Sequence, residues 1–526
     1  MRYFWPVLVA GTALLAACGD SGKSAVTDNS STPGTLQINP PFRVASLSAA
    51  DFNARLSATP SGLQLKALAR TPKCGIDVHY LKYATTGGAD EPTSATGAMM
   101  VPTGSDPACQ GARPIVLYAH GTTTGRDYNL ADITDPNNPA SGEAGLIAAM
   151  FAAQGYIVVA PNYAGYDASP LTYHPYLNAK QQSGEMIDVL NAARKALPNV
   201  PAGAKVTDGG KLFVTGYSEG GHVALATMKA MQAKGMTVTA GAPMSGPYAM
   251  EAFGDAVFYG NVNVGGTIFS PLIAMSYQKA YKNIYSSVSD LVADPYAATI
   301  EGLLPSKASL GQLFGNGLLP QAAMFQSAPT GLGPAIDGLS PASSTFAFAF
   351  APDHYLIKTG YRAAYLADAQ ANPDGAVPAV TSGLPAATPA HPLRQALKLN
   401  DLRDYATPAM PTLLCGGKND PTVFFFNADI MNNIFTAAAG AGAPLKFAKL
   451  DVDGGFSSTG LNPTQTAMMT GAATLLQNGF ATAKASVAAS AGSDPVAQAT
   501  AVATEYHGTL VPPFCTAAAR TFFDQF

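Results

Sequence analysis

The stretch Gly216-Tyr217-Ser218-Glu219-Gly220 fences a serine between glycines two residues away on either side. An apolar run, Leu212-Phe213-Val214, precedes it, and a small-residue, helix-like segment follows. A strand that turns abruptly into a helix strains the residue at its corner, and only glycines at those two offsets leave room for the close approach. Ser218 is therefore the candidate nucleophile. A serine hydroxyl needs a base to take its proton and an acid to orient that base. In this strand–turn–helix arrangement the chain order is Ser, then Asp or Glu, then His. His354 and His391 fall in an irregular segment, so His507, in EYHGTLVPPFC, is the candidate base. Asp420, in the turn GGKNDPTV, is the candidate acid, with Asp451 and Asp453 as competitors. The developing oxyanion requires backbone N–H donors. Glu219 supplies one, and Thr122 of His120-Gly121-Thr122-Thr123 the other, with Thr123 second to it. His120 is expected to brace that loop and His222 to be structural. The set calls for no metal and no cofactor.

Alternating elements must carry these residues. Two strand-like runs are followed by PIVLYAHG (114–121), a helix-like segment (143–154), GYIVVAPNY (155–163), a helix (178–196) and KLFVTG (211–216). A further helix leads to TVTAGAPMSG (237–246). Continuous apolar strands alternating with helices predict an α/β fold with a mostly parallel sheet covered on both faces. Residues 251–392 break the rhythm. Within them a helix is expected with Ser270 as cap and Pro271 in its first turn, presenting Tyr277, Tyr281, Ile284, Val288 and Leu291 on one face. Alternation resumes at PTLLCGG (411–417), a helix near 424–440 and LKFAKLDVD (445–453). A second insertion, 454–504, opens an Ala-rich helix at Asn462-Pro463, and the last helix spans about 513–525.

The runs YAHGTTTG, APNYAGYD, HPYLNAKQQS, TGYSEGGH, GGKNDPTV and YHGTLVPP together resemble an α/β-hydrolase. Within that fold the chain is similar to the secretory lipases typified by Candida antarctica lipase A, over about 76–250 and 393–526. The resemblance implies carboxylic ester hydrolysis, with Ser218, Asp420 and His507 as triad. It also implies a cap inserted between the sixth and seventh strands that shields an acyl pocket. The insertion ahead of His507 departs from that pattern.

The N-terminus, MRYFWPVLVAGTALLAACGD, reads as a secretory signal too short to span a membrane. Its end resembles a bacterial lipobox, which makes Cys18 a lipidation site and the membrane a partner through that anchor. Export implies an oxidising compartment for Cys74, Cys109, Cys415 and Cys515. A hairpin bringing Cys74 to Cys109 favours the pairs Cys74–Cys109 and Cys415–Cys515 over the other pairings; metal binding is the weaker use, since no CxxC is present. A net charge of −4 without any Lys/Arg cluster excludes nucleic acid as a partner class.

The organisation expected is a signal peptide (1–17), a flexible tether (18–45), a hydrolase core in two parts (46–250 and 393–526) and a cap (251–392). The function expected is that of a lipid-anchored esterase or lipase of the bacterial cell envelope, acting on small or polymeric esters with hydrophobic acyl groups. A peptidase or amidase on the same triad, or a surface lipoprotein that only binds, are the rivals.

Overall fold

The computed structural model describes residues 26–28, 30–200, 205–330, 341 and 343–526. The signal segment and Cys18 lie outside them. Ten strands form one sheet: β1 (Phe42–Leu47), β2 (Gly75–Thr86), β3 (Pro92–Thr103), β4 (Gly111–Ala119), β5 (Ile157–Pro161), β6 (Val206–Tyr217), β7 (Ala240–Met244), β8 (Thr412–Gly416), β9 (Phe447–Asp451) and β10 (Phe456–Thr459). Their spatial order is β10-β9-β8-β7-β6-β4-β5-β3-β2-β1. Neighbours among β4 to β9 run parallel, and the pairs toward both edges are antiparallel. Every residue of β5, β7 and β8 is buried. That burial on two faces explains why these strands read as unbroken apolar runs instead of alternating ones.

The helices of eight residues or more are α1 (Ala49–Ser57), α2 (Pro60–Ala69), α3 (Ser141–Met150), α4 (Ala179–Ala196), α5 (Glu219–Ala233), α6 (Met250–Phe258), α7 (Gly266–Tyr281), α8 (Thr359–Ala371), α9 (Pro392–Leu399), α10 (Phe426–Gly440), α11 (Pro463–Ser490), α12 (Pro495–Glu505) and α13 (Val511–Phe523). α2, α3 and α13 pack together, as do α4 and α5, so that helices cover both faces of the sheet. This is the α/β-hydrolase fold. An unanticipated edge strand, β1, precedes the first expected one, so the sixth and seventh strands of the sequence reading are β7 and β8. The long connection between them builds a second hydrophobic core of its own, around Phe258, Tyr277, Leu291, Phe325 and Tyr365. Both disulfides close as expected, Cys74–Cys109 and Cys415–Cys515.

Four expectations need correction. The stretch 18–45 is not a free tether throughout. Gly34 and Gln37 donate backbone hydrogen bonds to Ala84 and Lys82 of β2, Leu36 is buried in the main core, and β1 begins at Phe42. Its polar side chains conceal pairing that the backbone alone supplies. α7 starts at Gly266, not Ser270, so Pro271 lies inside it. Lys282 in the left-handed region ends that helix, leaving Val288 and Leu291 to a separate short turn. α9, placed in the returning core by the boundary at 392, instead turns Leu393, Ala396 and Leu397 into the second core. Finally, the 454–504 insertion includes a strand, β10, which closes the sheet's edge against β9.

Candidate active site

β6 passes into α5 at Ser218, whose φ of 60° and ψ of −121° lie outside the regions open to most residues. Such strain costs roughly 1–3 kcal/mol and persists only where the surroundings enforce it. The enforcement is visible at the two glycines. A Cβ on Gly216 would lie 2.3 Å from the Gly220 carbonyl oxygen, and one on Gly220 2.0 Å from that of Ala119. The Ser218 N–H donates to the Met244 carbonyl at 3.0 Å, pinning the corner to β7.

The structure brings Ser218, Asp420 and His507 into one hydrogen-bonded row. His507 Nε2 lies 2.8 Å from Ser218 Oγ, and its Nδ1 lies 2.6 Å from Asp420 Oδ2. A carboxylate at Nδ1 holds the proton there and leaves Nε2 with a lone pair facing the hydroxyl. Asp420 is held in turn, since its Oδ1 accepts the amides of Thr422 at 2.8 Å and Val423 at 3.0 Å. The Asp420 side chain is 1% exposed and that of His507 11%, so the row is dry at its acid end and open at its base. The competing carboxylates are used elsewhere. Asp451 Oδ1 accepts the Lys418 amide, and Asp453 takes Lys484 and the Tyr506 hydroxyl. Both therefore shape the turn that carries Asp420 and leave the imidazole to it.

His507 sits in a π-helical turn, Tyr506–Leu510, between α12 and α13. Two supports fix it. The Tyr217 hydroxyl donates to the His507 carbonyl at 2.7 Å, and Tyr506 packs edge-on against Phe480 of α11. The long insertion before the base is thus its buttress. Tyr217 is buried, and burial together with the Asp420 charge drives its pKa well above the ordinary tyrosine value, keeping the donor protonated.

Glu143 orders the loop after β4. Its Oε1 accepts the Gly121 amide at 3.1 Å and the Tyr118 hydroxyl at 2.8 Å, and its Oε2 the Tyr128 hydroxyl at 2.6 Å. Thr122 Oγ1 meets the Tyr176 hydroxyl at 2.8 Å. Among the described residues, the amides of Thr122 and Glu219 reach no protein acceptor. Thr122 borders the space beside Ser218, whereas Thr123 does not. The Glu219 side chain is locked behind the corner: His174 Nε2 at 2.7 Å and Gln182 Nε2 at 2.6 Å both face its Oε1. His120 stacks near Tyr128 and Tyr163 and contacts the Gly121 and Asn162 carbonyls, bracing the loop. His222 donates to the Asn400 carbonyl, and His391 accepts the Leu393 amide at the start of α9. His354 lies in the second core's segment, apart from the row. Glu143 carries no motif that would have singled it out, Tyr217 stands at a variable position of the serine motif, and HPYLNAKQQS, which holds His174 and Gln182, was conspicuous only as part of the resemblance.

Two spaces meet at Ser218. One is a cavity of about 100 Å³ between the 250–397 segment and the serine corner, walled by residues such as Tyr176, Met250, Phe253, Phe258, Met324 and Ile357. The other is an open cleft of about 660 Å³ between α1–α2, α3 and the start of α13, with His507 and Thr122 on its floor. Phe269 borders both.

A model of the prolyl oligopeptidase family matches residues 144–286. No curated protein matches the chain. Among solved structures, the rice cell wall degrading esterase LipA of Xanthomonas oryzae superposes with a TM-score of 0.60 at 28% identity, covering 80% of this chain and 91% of that one. A Legionella pneumophila structure matches at 0.55 and 20% identity, covering 75% and 87%. Candida antarctica lipase A matches at 0.44 and 14% identity, covering 79% and 76%. The resemblance to α/β-hydrolase esterases holds, and the α/β-hydrolase fold is shared over most of the chain.

Proposed function

We propose that the chain is a serine carboxylic ester hydrolase working through an acyl-enzyme. Ser218 Oγ attacks the ester carbonyl while His507 Nε2 takes its proton. The amides of Thr122 and Glu219 meet the oxyanion; each such donor is worth about 10²–10³ in rate. The intermediate collapses, the acyl C–O bond to the alcohol breaks, and His507 returns the proton to the departing oxygen. Water then enters, gives a proton to His507 and attacks the acyl carbon, and Ser218 recovers its proton as the acid leaves. Asp420 keeps the imidazole in the right tautomer and compensates its transient charge, without taking the proton itself.

The observation that carries this reading is the row Ser218–His507–Asp420 at 2.8 and 2.6 Å. The likeness to an esterase over most of the chain supports ester over amide. An amidase is the second reading, favoured by the prolyl oligopeptidase match. That match ends at residue 286, before Asp420 and His507, so it speaks to the corner and not to the leaving group. Assay of 4-nitrophenyl esters against matched 4-nitroanilides separates the two, with turnover of the esters alone expected. Hydrolysis confined to the anilides would establish the amidase, and absence of both turnover and fluorophosphonate labelling of Ser218 would remove the enzyme. We also infer attachment to the cell envelope through a lipid on Cys18; Cys18→Ser should release the protein from membranes, and continued association would refute the anchor.

A further inference from the structure

Two hydroxyl groups beside the nucleophile have no part in the steps above. Thr122 Oγ1 and the Tyr176 hydroxyl lie 2.8 Å apart, and among the described residues neither has a second partner. Thr122 borders the cleft and Tyr176 the cavity, while Ser218 borders both. The pair thus stands at the nucleophile, where the two spaces meet. Two hydroxyls carry two hydrogens, and the bond between them uses one. The other is left for whatever occupies the space beside Ser218.

Which hydrogen is left follows from acidity. A phenol, with a pKa of about 10, is a stronger donor than an aliphatic hydroxyl and a weaker acceptor, so Tyr176 donates and Thr122 Oγ1 accepts. Tyr176 is buried, and burial together with the Glu219 charge drives its pKa well above the ordinary tyrosine value, so the donor stays protonated. The free hydrogen is therefore that of Thr122, whose own amide is already one of the two donors assigned to the oxyanion. Within one threonine the amide nitrogen and Oγ1 are three bonds apart, close enough to converge on a single oxygen.

We infer that the Thr122 hydroxyl is a third donor to the oxyanion, and that Tyr176 is the positioning residue that turns its hydrogen toward the developing charge. The inference rests on the ester hydrolase reading and deepens it at the same site. Hydrogen bonds in series polarise one another, so charge on the substrate oxygen is drawn through Thr122 toward the phenol. No proton changes hands: Thr122 keeps its hydrogen, and its bond to the substrate oxygen strengthens as the acyl carbon becomes tetrahedral. Such a donor favours the intermediate over the planar ester. Its signature is a change in kcat with KM nearly untouched.

Thr122→Val tests this directly, since it keeps the amide and the branched shape and removes only the hydroxyl. Its kcat for 4-nitrophenyl butyrate, per active site titrated with a fluorophosphonate, should fall about 100-fold, with KM within about twofold. Thr122→Ser should recover most of that rate. Tyr176→Phe leaves the Thr122 hydrogen unsteered and should lose about tenfold in kcat. Thr122→Val/Tyr176→Phe should match Thr122→Val within about twofold, because Tyr176 acts only through Thr122. A trifluoromethyl ketone, which forms an anionic adduct on the serine, should bind each variant more weakly in proportion to its kcat/KM. A Thr122→Val rate within about threefold of the wild type, or losses that add in the double variant, would overturn the inference. So would a Tyr176→Phe enzyme slower than Thr122→Val, which would place the phenol and not the threonine against the oxyanion. Failure of the underlying reading looks different: there Ser218→Ala would itself retain turnover.

Discussion

Replacing His174 tests how the serine corner is held from behind. Its Nδ1 lies 3.0 Å from the Ala164 carbonyl, which can only accept, so that nitrogen carries a proton. Its Nε2 lies 2.7 Å from Glu219 Oε1, and one proton sits between those two atoms. Both side chains are fully buried, and among the described residues Glu219 Oε2 has no partner. His174→Gln leaves the carboxylate in place with the charge partner gone. Breaking a buried pair from one side costs about 3–5 kcal/mol, because the remaining charge is uncompensated. The same charge faces the oxyanion that the Glu219 amide stabilises. At an effective dielectric of about 20, like unit charges about 4 Å apart repel by about 4 kcal/mol, and the repulsion falls inversely with distance, so a loss of about tenfold or more in kcat is expected. His174→Gln/Glu219→Gln takes the carboxylate away as well, so it should be more stable than His174→Gln alone and regain most of kcat. Urea unfolding and kcat for 4-nitrophenyl butyrate, measured on the wild type, both single variants and the double variant, read the two couplings separately. A double variant whose losses are the sum of the single ones would refute the charge-compensation argument, as would an unchanged kcat in His174→Gln.

Three other outcomes are expected. Ser218→Ala and His507→Ala should each abolish ester turnover, and the double variant should lose little more, because the two groups act as a unit; additive losses in a single-turnover assay would separate them. Cys415 precedes the Asp420 turn and Cys515 follows His507, 100 positions apart in sequence. Cys415→Ser/Cys515→Ser should therefore cost about 4–5 kcal/mol and weaken kcat beyond KM, as differential scanning calorimetry and kinetics would read; an unchanged Tm would contradict it. Burial depresses the pKa of His222 and of His391 to about 4. A depressed histidine binds its proton in the unfolded chain first, so its contribution is present above about pH 6.5 and is lost as pH falls through about 4. Burial raises Asp188 to about 7, with the opposite sign: that contribution is present below its ordinary value and is lost as pH rises through about 7. Asp188→Asn should therefore gain in Tm over the wild type as pH rises from about 4 to about 7; an unaltered Tm-versus-pH curve for that variant would count against it.

What could be read in advance divides along a physical line. β5, β7 and β8 were legible because burial on two faces writes continuous apolar runs, and α11 because Asn462, Pro463 and Gln465 spell out a capped start. Ser218 was legible because its conformation demands glycines at fixed offsets, and His507 and Asp420 because chain order on this sheet leaves few histidines and carboxylates in range. β1 and the segment before it were not, since their contribution is backbone pairing under polar side chains. The start of α7 at a pair of glycines was not either, because those residues weaken a helix locally and only packing against Met324 and the rest of the second core restores it.

The residues that hold the site were the least visible of all, for one shared reason. Glu143, His174 and Gln182 look like surface residues in a one-dimensional reading, and each becomes significant only through a partner in another element. Gln182 and His174 meet Glu219 across 37 and 45 residues, and Tyr217 meets His507 across 290. The 454–504 insertion makes the same point at larger scale. It looked like an interruption between the acid and the base, yet α11 supplies Phe480 against Tyr506 and Lys484 to Asp453, so it stiffens both the turn of Asp420 and the turn of His507. A base carried on a π-helical turn has poorer intrinsic support than one in a regular helix. Length added next to it is therefore expected to be spent on packing, and α11, which buries Met469, Ala473, Leu476 and Phe480, is where that packing is found.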